Sequence, residues 1–291
     1  MTFSIIVVCL NAGEKLRKTV ESIRRQTEQD YEIVIKDGIS TEETTTQFLD
    51  ALEQAGESDP RLRVYRQEKD TGIYDAMNQA VEYAGGEYIF FLNCGDSFYD
   101  DQVLAKVRAQ IEGRSDTGEK QPQDGLRHAQ KKRPCIFYGN ICEQMTGTMV
   151  QSNPALNDFA CYRNLPCHQA CFYATDLLKK RKFDTKYRVR ADYEHFLWCR
   201  YEGGAESVYM PVTVAFYEGG GFSETKANRK RSKLEHKEIV AKYMPAARVL
   251  GYRLIMLLTL APLRTWIAGN PALAGLYQSV KRKVYRKNGR A

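Results

Sequence analysis

No two of the eight cysteines form a C-x-x-C pair, so the commonest zinc-site spacing is missing. The nearest thing to a ligand cluster, Cys161, Cys167, His168 and Cys171, has the spacing C-x5-C-H-x2-C. That matches no familiar pattern, and alternating burial along a strand accounts for it better. No G-x-G-x-x-G follows the first apolar run. Cys9-Leu-Asn-Ala-Gly13 offers a single glycine there, and a Walker A sequence is missing too, which argues against a dinucleotide fingerprint and a P-loop. The opening Met1-Thr-Phe-Ser lacks the basic n-region of a signal peptide. The expectation is a cytoplasmic chain with reduced thiols.

Long apolar runs are missing as well. Arg253 and Arg264 enclose only ten uncharged residues, interrupted by Pro262, whereas a bilayer span needs about 20. Acids are scarce at one end of the chain. Residues 226–291 hold 16 of the 43 Lys and Arg residues but only two acids, Glu235 and Glu238. That region therefore carries about +14 and residues 1–225 about −7, behind a net +7. A basic tail could meet nucleic acid, anionic lipid or nothing in particular. Together with its apolar residues it reads as a membrane-surface segment or a helix packed on the body, and no nucleic acid is expected.

What is present is enough core for one large α/β domain, with 291 residues of which 43% are hydrophobic. Residues 3–10 read as a buried strand and 14–27 have helical spacing through Leu16, Val20 and Ile23. Residues 31–36 form a second strand, stopped by Asp37-Gly38. Ser40 and Glu43 then make a capping box for a helix reaching about residue 55. A third strand at 61–65 and a helix at 73–84, ended by Gly85-Gly86, lead to the wholly apolar Tyr88-Ile-Phe-Phe-Leu. Strands alternating with helices through residue 112 predict a doubly wound, mostly parallel sheet. Residues 113–134 are nearly devoid of apolar side chains and read as a flexible surface insertion. Strands at 135–138, 171–173 and 207–217, with helices at 175–181 and 190–201, predict a mixed second half.

In open α/β sheets ligands bind beyond the carboxyl ends of the strands. Polar groups recur there: Asn11, then Asp37, then Asp70, Gly72 and Asp75, then Asn93 and Asp96. Acids in place of a phosphate-cradling glycine loop point to phosphates handled through a divalent metal. Asn-x-Gly-Asp is also ordinary turn chemistry.

Five segments together carry a resemblance. Ser4-Ile-Ile-Val-Val-Cys-Leu-Asn11 precedes Ser22-Ile-Arg-Arg-Gln26. Glu32-Ile-Val-Ile-Lys-Asp37-Gly38-Ile-Ser40 follows. Asp70-Thr-Gly72-Ile-Tyr-Asp75-Ala-Met-Asn78 leads into Asn93-Cys-Gly95-Asp96, then come His168-Gln-Ala170 with Ala191-Asp-Tyr-Glu194, and finally Gly219-Gly-Gly-Phe-Ser223. In this order they resemble an inverting glycosyltransferase of family 2 with the GT-A fold, in the branch that builds bacterial capsule, exopolysaccharide and O-antigen.

The resemblance implies roles residue by residue. Asp37 would hydrogen-bond the donor's base and Asn11 would lie near the nucleoside. Asp70, Gly72, Asp75 and Asn78 would face the diphosphate-sugar, although turn acids and helix caps look the same. Asp96 would ligate Mg²⁺ or Mn²⁺ on the diphosphate. Asn93 and Gly95 stand where many relatives have aspartates, so donor contacts at those two positions depart from the family pattern. Asp192 would be the catalytic base and His168 would line the acceptor pocket. Gly219, Gly220 and Gly221 would form a turn closing over the donor phosphates.

On this reading residues 1–225 are a GT-A domain, with a nucleotide-binding half at 1–112 and an acceptor half at 135–225. Residues 226–291 are a basic, amphipathic, helical tail. The implied activity is metal-dependent, inverting, non-processive sugar transfer from a nucleoside-diphosphate sugar to a lipid-linked or glycan acceptor. Residues 246–290 would hold the enzyme on the inner face of an anionic membrane. No Q-x-x-R-W segment marks a processive synthase. The alternatives are a nucleotidyltransferase of similar fold, poorly matched by Asn11-Ala-Gly-Glu-Lys15, and a non-catalytic binding protein using the basic tail.

Overall fold

The computed structural model describes residues 1–66, 68–116, 133–219 and 225–259. Residues 117–132 of the insertion expected at 113–134, the glycine run after Gly219, and Trp266, Tyr277 and the basic cluster 281–287 lie outside the described residues. Residues 113–116 continue a helix instead of opening a flexible segment. In chain order the first half comprises β1 (Phe3–Cys9), α1 (Glu14–Arg24), β2 (Tyr31–Asp37), α2 (Glu43–Gly56), β3 (Leu62–Tyr65), α3 (Ile73–Val81), β4 (Tyr88–Phe91), β5 (Ser97–Phe98) and α4 (Val103–Asp116). There follow β6 (Cys135–Glu143), β7 (Thr148–Val150), α5 (Asp158–Arg163), a 3-10 turn (His168–Ala170), β8 (Cys171–Ala174), α6 (Thr175–Lys180), α7 (Ala191–Tyr201), β9 (Glu206–Tyr217), α8 (Lys226–Tyr243) and α9 (Ala246–Leu258).

The described strands make one sheet in the order β3-β2-β1-β4-β8-β6-β9-β5, with β7 paired to β6. The first four strands run parallel, and strand order reverses between β1 and β4. Such a reversal opens a crevice at the carboxyl ends of the strands, where ligands bind in this class of fold. β8 joins antiparallel to β4 and to β6, giving the mixed second half. All seven residues of β1 and of β2 are buried, as strands covered on both faces require. Stacking of Phe90 on Phe172, with ring centroids 4.5 Å apart, packs β4 against its antiparallel neighbour.

Two buried contacts hold the amino ends together. Glu32, wholly buried in β2, accepts from Ser4 Oγ at 2.6 Å and from the Gly85 amide at 2.6 Å. Gly86 presses on β1 so closely that a Cβ there would lie 2.7 Å from the Phe3 carbonyl carbon. The expected Ser40 cap is not the cap of α2. Glu42 fills that role, accepting from the amides of Thr44 and Thr45, because Ser40 Oγ is committed to Asp37 and to the Asn11 amide.

The chain divides into two compact units, Met1–Ile239 and Val240–Ala291. In the second unit α9 buries none of its residues and exposes Leu250, Leu254, Leu257 and Leu258. Among the described residues no helix is long and apolar enough to cross a membrane.

Candidate functional site

β4 ends at the strand-order reversal, and the Asn93–Asp96 turn that follows is pinned by α1. Thr19, buried in that helix, donates its hydroxyl to the Asp96 carbonyl at 2.7 Å and accepts from the Gly95 amide at 3.1 Å. Gly95 adopts φ +100°, and a Cβ on it would run into the Glu218 carboxylate. Glu218, just beyond β9, pairs with Lys15 at 2.7 Å. Its backbone amide donates to Asp96 Oδ1 at 2.9 Å, while Gln169 Nε2 lies 3.3 Å from Asp96 Oδ2. Burial pushes the Asp96 carboxyl above its usual range, against the opposing pull of the Glu218 amide, His168 and Gln169.

Asp192 occupies the first turn of α7, where the helix dipole favours a carboxylate. The Tyr74 hydroxyl, from the start of α3, lies 2.9 Å from Asp192 Oδ1 and 3.0 Å from the Val189 carbonyl. His168 Nδ1 lies 3.4 Å from Asp192 Oδ2. The far side of the same ring, Nε2, is 2.9 Å from Asn93 Nδ2. Burial is the largest single influence on Asp192 and would raise its pKa. The hydrogen bond and charge of His168, with the Tyr74 hydroxyl and the Tyr193 amide, outweigh it and hold the carboxyl below its usual range. One imidazole thus bridges the turn after β4 to the carboxylate of α7.

The two aspartates line adjoining cavities rather than one pocket. Asn93, Asp96, Glu218 and Gly219 border a cavity of about 220 Å³. Asp192, Tyr193, Phe196 and Arg190 border one of about 270 Å³. His168, Gln169, Val189 and Tyr217 belong to both and form the wall between them. A third cavity, of about 190 Å³, contains Gly72, Asp75 and Arg188, and shares Ile73 and Tyr74 with the Asp96 cavity. Asn93 Oδ1 is buried and has no hydrogen-bond partner among the described residues. No set of three or more His, Cys, Asp and Glu side chains placed to hold a metal occurs among the described residues.

Of the other expected site residues, Asn11, Asp37, Asp70 and Asn78 fall outside this row of cavities, while Gly72 and Asp75 border the third. Asn11 has φ +48°; its Oδ1 accepts from the amides of Thr41 and Glu42 at 2.8 and 2.9 Å. Asp37 is buried and accepts from Ser40 through both oxygens. Asp70 accepts from the Gly72 amide at 3.0 Å, with its other oxygen packed against Gly38. Asn11 and Asp37, through Ser40, tie the carboxyl edges of β1 and β2 together. Asp75 spends Oδ2 on Thr71. Asn78 lines none of the three cavities: its amide accepts from the Phe183 N–H and donates to the Phe183 carbonyl, both at 2.9 Å. Sequence reasoning assigned no role to Tyr74, Gln169, Glu218 or Glu235. The one available signal for Glu235 was its rarity, as one of two acids in a basic region.

A parallel sheet with a carboxylate turn at its order reversal, and a second carboxylate across a histidine wall, is the architecture of a nucleotide-sugar-dependent glycosyltransferase of the GT-A fold. The comparisons agree. The model for "Glycosyl transferase family 2" matches residues 4–118. A PGL/p-HBAD biosynthesis glycosyltransferase of Mycobacterium tuberculosis is 34% identical over 258 residues, covering 88% of this chain and 89% of that protein. The chain belongs to glycosyl transferase family 2 and is a glycosyltransferase. Residues 1–349 of S. aureus TarS superpose with a TM-score of 0.55 at 18% identity, over 75% of this chain and 60% of that one. The chain therefore spans less than two thirds of that structure. A mannosyltransferase from Pyrobaculum calidifontis, solved with GDP-Man and Mn²⁺, superposes with a TM-score of 0.57 at 16% identity, over 97% of this chain and 80% of that one.

Proposed function

We propose that the chain transfers one sugar per encounter, with inversion, from a nucleoside-diphosphate sugar to a hydroxyl of a lipid-linked or glycan acceptor in bacterial surface-glycan synthesis. The observation that carries this reading is the Asn93–His168–Asp192 contact chain, which joins the Asp96 cavity to the Asp192 cavity. A donor diphosphate in the first and an acceptor in the second would meet at that wall. Asp192, held ionised by His168 and Tyr74, takes the proton from the acceptor hydroxyl. The freed oxygen forms a bond to the anomeric carbon on the face opposite the diphosphate. As that bond forms, the anomeric carbon–oxygen bond to phosphate breaks, and the nucleoside diphosphate leaves with the electron pair. Tyr193, Phe196 and Tyr217 give the acceptor cavity an aromatic lining, suited to the apolar face of a sugar or an aglycone.

The residues present fit a Mg²⁺ or Mn²⁺ ion bound mainly through the diphosphate. Asp96 would supply the carboxylate and the unpartnered Asn93 Oδ1 a neutral oxygen, with phosphate and water completing the set. Such an ion would neutralise charge developing on the leaving diphosphate. The surface-glycan setting rests on the mycobacterial relative being a PGL/p-HBAD biosynthesis glycosyltransferase, together with the exposed leucines of α9 and the basic tail. Those tail features also support a peripheral position on an anionic membrane.

The test pairs a thermal-shift panel of UDP-, GDP-, CMP- and dTDP-sugars, with and without Mn²⁺, with a transfer assay on the donor that binds. Asp192→Asn should bind that donor as the parent does and lose about 10²-fold or more in turnover. Normal turnover by Asp192→Asn would remove the base assignment. For the membrane reading, a chain ending before Ala246 retains α8 and should fail to float with anionic liposomes. Retained flotation would remove that reading.

A further inference from the structure

Glu235 is an anomaly in its helix. Lys226, Arg229, Lys230, Arg231, Lys233 and Lys237 around it are exposed, while Glu235 is only 8% exposed. Its carboxylate accepts from three consecutive backbone amides. Arg188 N–H donates to Oε1 at 3.0 Å, and Val189 and Arg190 N–H donate to Oε2 at 3.0 and 2.9 Å. One turn earlier on the same face, Ser232 accepts from Arg190 Nε through both its hydroxyl, at 2.7 Å, and its carbonyl, at 3.1 Å. The segment so gripped runs directly into α7, whose N-cap residue Arg190 supplies no side-chain cap. Asp192 is the second residue of that helix, and the Val189 carbonyl shares the Tyr74 hydroxyl with it.

We infer that Glu235 is a positioning residue for sugar transfer, setting through the 188–190 backbone where the Asp192 carboxylate points. The inference rests on the reading of Asp192 as the base. A carboxylate is buried at high cost unless its oxygens are satisfied, and here the whole set of donors comes from the loop ahead of Asp192. A side chain needed only to pack α8 onto the domain would be apolar. Glutamine cannot substitute, because only one of its terminal atoms accepts, so at least one of the three N–H groups would face an NH₂. Near-attack geometry is sensitive to displacements of about 1 Å, which cost about 10²-fold in rate. The consequence is that α8, outside the expected GT-A domain, helps position the base through Glu235 and Ser232.

The test measures kcat, acceptor KM and donor affinity for Glu235→Gln, Ser232→Ala, Glu238→Gln and Asp192→Asn in the full chain. Glu238 anchors the same helix to Tyr187 at 3.1 Å and to Lys186 at 3.1 Å without touching residues 188–190. Glu235→Gln should lose about tenfold or more in kcat, with donor affinity held within about twofold. Glu238→Gln should stay within about twofold of the parent in kcat. Should Glu235→Gln not fold, Ser232→Ala carries the test, with an expected loss of about two- to fivefold in kcat at unchanged donor affinity. Unchanged kcat in the folded variant, equal losses in Glu235→Gln and Glu238→Gln, or donor affinity falling in step with kcat would each overturn the proposal. If Asp192→Asn turns over normally, the base assignment and this inference fall together. If Asp192→Asn is inactive while Glu235→Gln is normal, only the positioning role fails.

Discussion

The Tyr74 hydroxyl stands 2.9 Å from Asp192 Oδ1 across 118 positions of sequence. Burial and the neighbouring carboxylate keep the phenol protonated far above neutral pH, so its one proton is always present, shared between Asp192 and the Val189 carbonyl. Tyr74→Phe removes that donor from a carboxyl whose pKa is held down against burial by His168 and Tyr74. Losing a bond to the charged form raises the pKa. The base is then protonated at a higher pH, so the acid limb of the kcat profile should move upward. The carboxylate stays ionised at neutral pH, so a loss of turnover there, of up to about tenfold, would come from its poorer positioning. A pH–rate profile with an unmoved acid limb would contradict the pairing.

Asp96 makes a different prediction, about metal. Burial raises its carboxyl above the usual range in the ion-free chain, and a bound divalent cation reverses that logic by favouring the charged form. Mn²⁺ should therefore enlarge the thermal shift given by the matching nucleoside diphosphate. Asp96→Asn should keep the fold, since the amide still accepts from the Glu218 N–H, and should abolish the Mn²⁺ increment. An increment that survives in Asp96→Asn would put the cation elsewhere.

Asn78 was expected to face the donor, but its amide closes a two-way clamp on the Phe183 backbone. Asn78→Ala leaves the Phe183 N–H and C=O without that partner in a buried site, which should cost about 1–3 kcal/mol. Nucleotide binding should not change. Urea denaturation and the same thermal-shift panel separate the two effects, and weakened binding without lost stability would restore the donor role.

The first half of the sheet was legible because its strands are short apolar runs punctuated by glycine and separated by helical periods. The second half was only partly so. β5 has two residues and β7 three exposed ones, too few to show a period of two. The antiparallel insertion of β8 between β4 and β6 depends on which apolar faces meet, which local pattern does not encode. Asp192 and Asp96 were legible as motif acids at a helix start and a strand end. Their partners were not: Gln169 and Glu218 reach Asp96, and Tyr74 and His168 reach Asp192, from distant points in the chain. The local contacts of Asp37 were equally hidden: each of its oxygens accepts from Ser40 three residues on.

His195 supplies a stability prediction with a definite sign. It is fully buried in α7, its Nε2 2.8 Å from the Arg181 carbonyl, and burial lowers its pKa from 6.5 to about 4. Between those values the unfolded chain binds a proton that the folded chain refuses, so stability rises with pH there. His195 therefore favours the fold fully above about pH 6.5 and progressively less as pH falls toward about 4, a span worth on the order of 3 kcal/mol. His195→Gln keeps a donor for Arg181 and removes the titration. Its unfolding free energy should vary less than the parent's between pH 7 and pH 4.5, and parallel curves would assign the acid sensitivity to other groups.

Gly95 stands where the family resemblance led to an expected aspartate, and the surrounding structure explains why introducing one should fail. At φ +100° an L side chain is disfavoured by about 1–2 kcal/mol. A Cβ would also enter the space held by the Glu218 carboxylate, setting two like charges together. Displacing Glu218 would break its pairing with Lys15 and withdraw the backbone amide that reaches Asp96 Oδ1. Gly95→Asp should accordingly be destabilised by about 2–5 kcal/mol, the sum of backbone strain and overpacking. In a double-mutant cycle Glu218→Ala should recover the part due to steric and charge conflict but not the part due to φ. Purely additive single effects would mean that Gly95 and Glu218 do not compete for the same space. Full recovery would mean that the backbone at position 95 relaxes once its neighbour is gone.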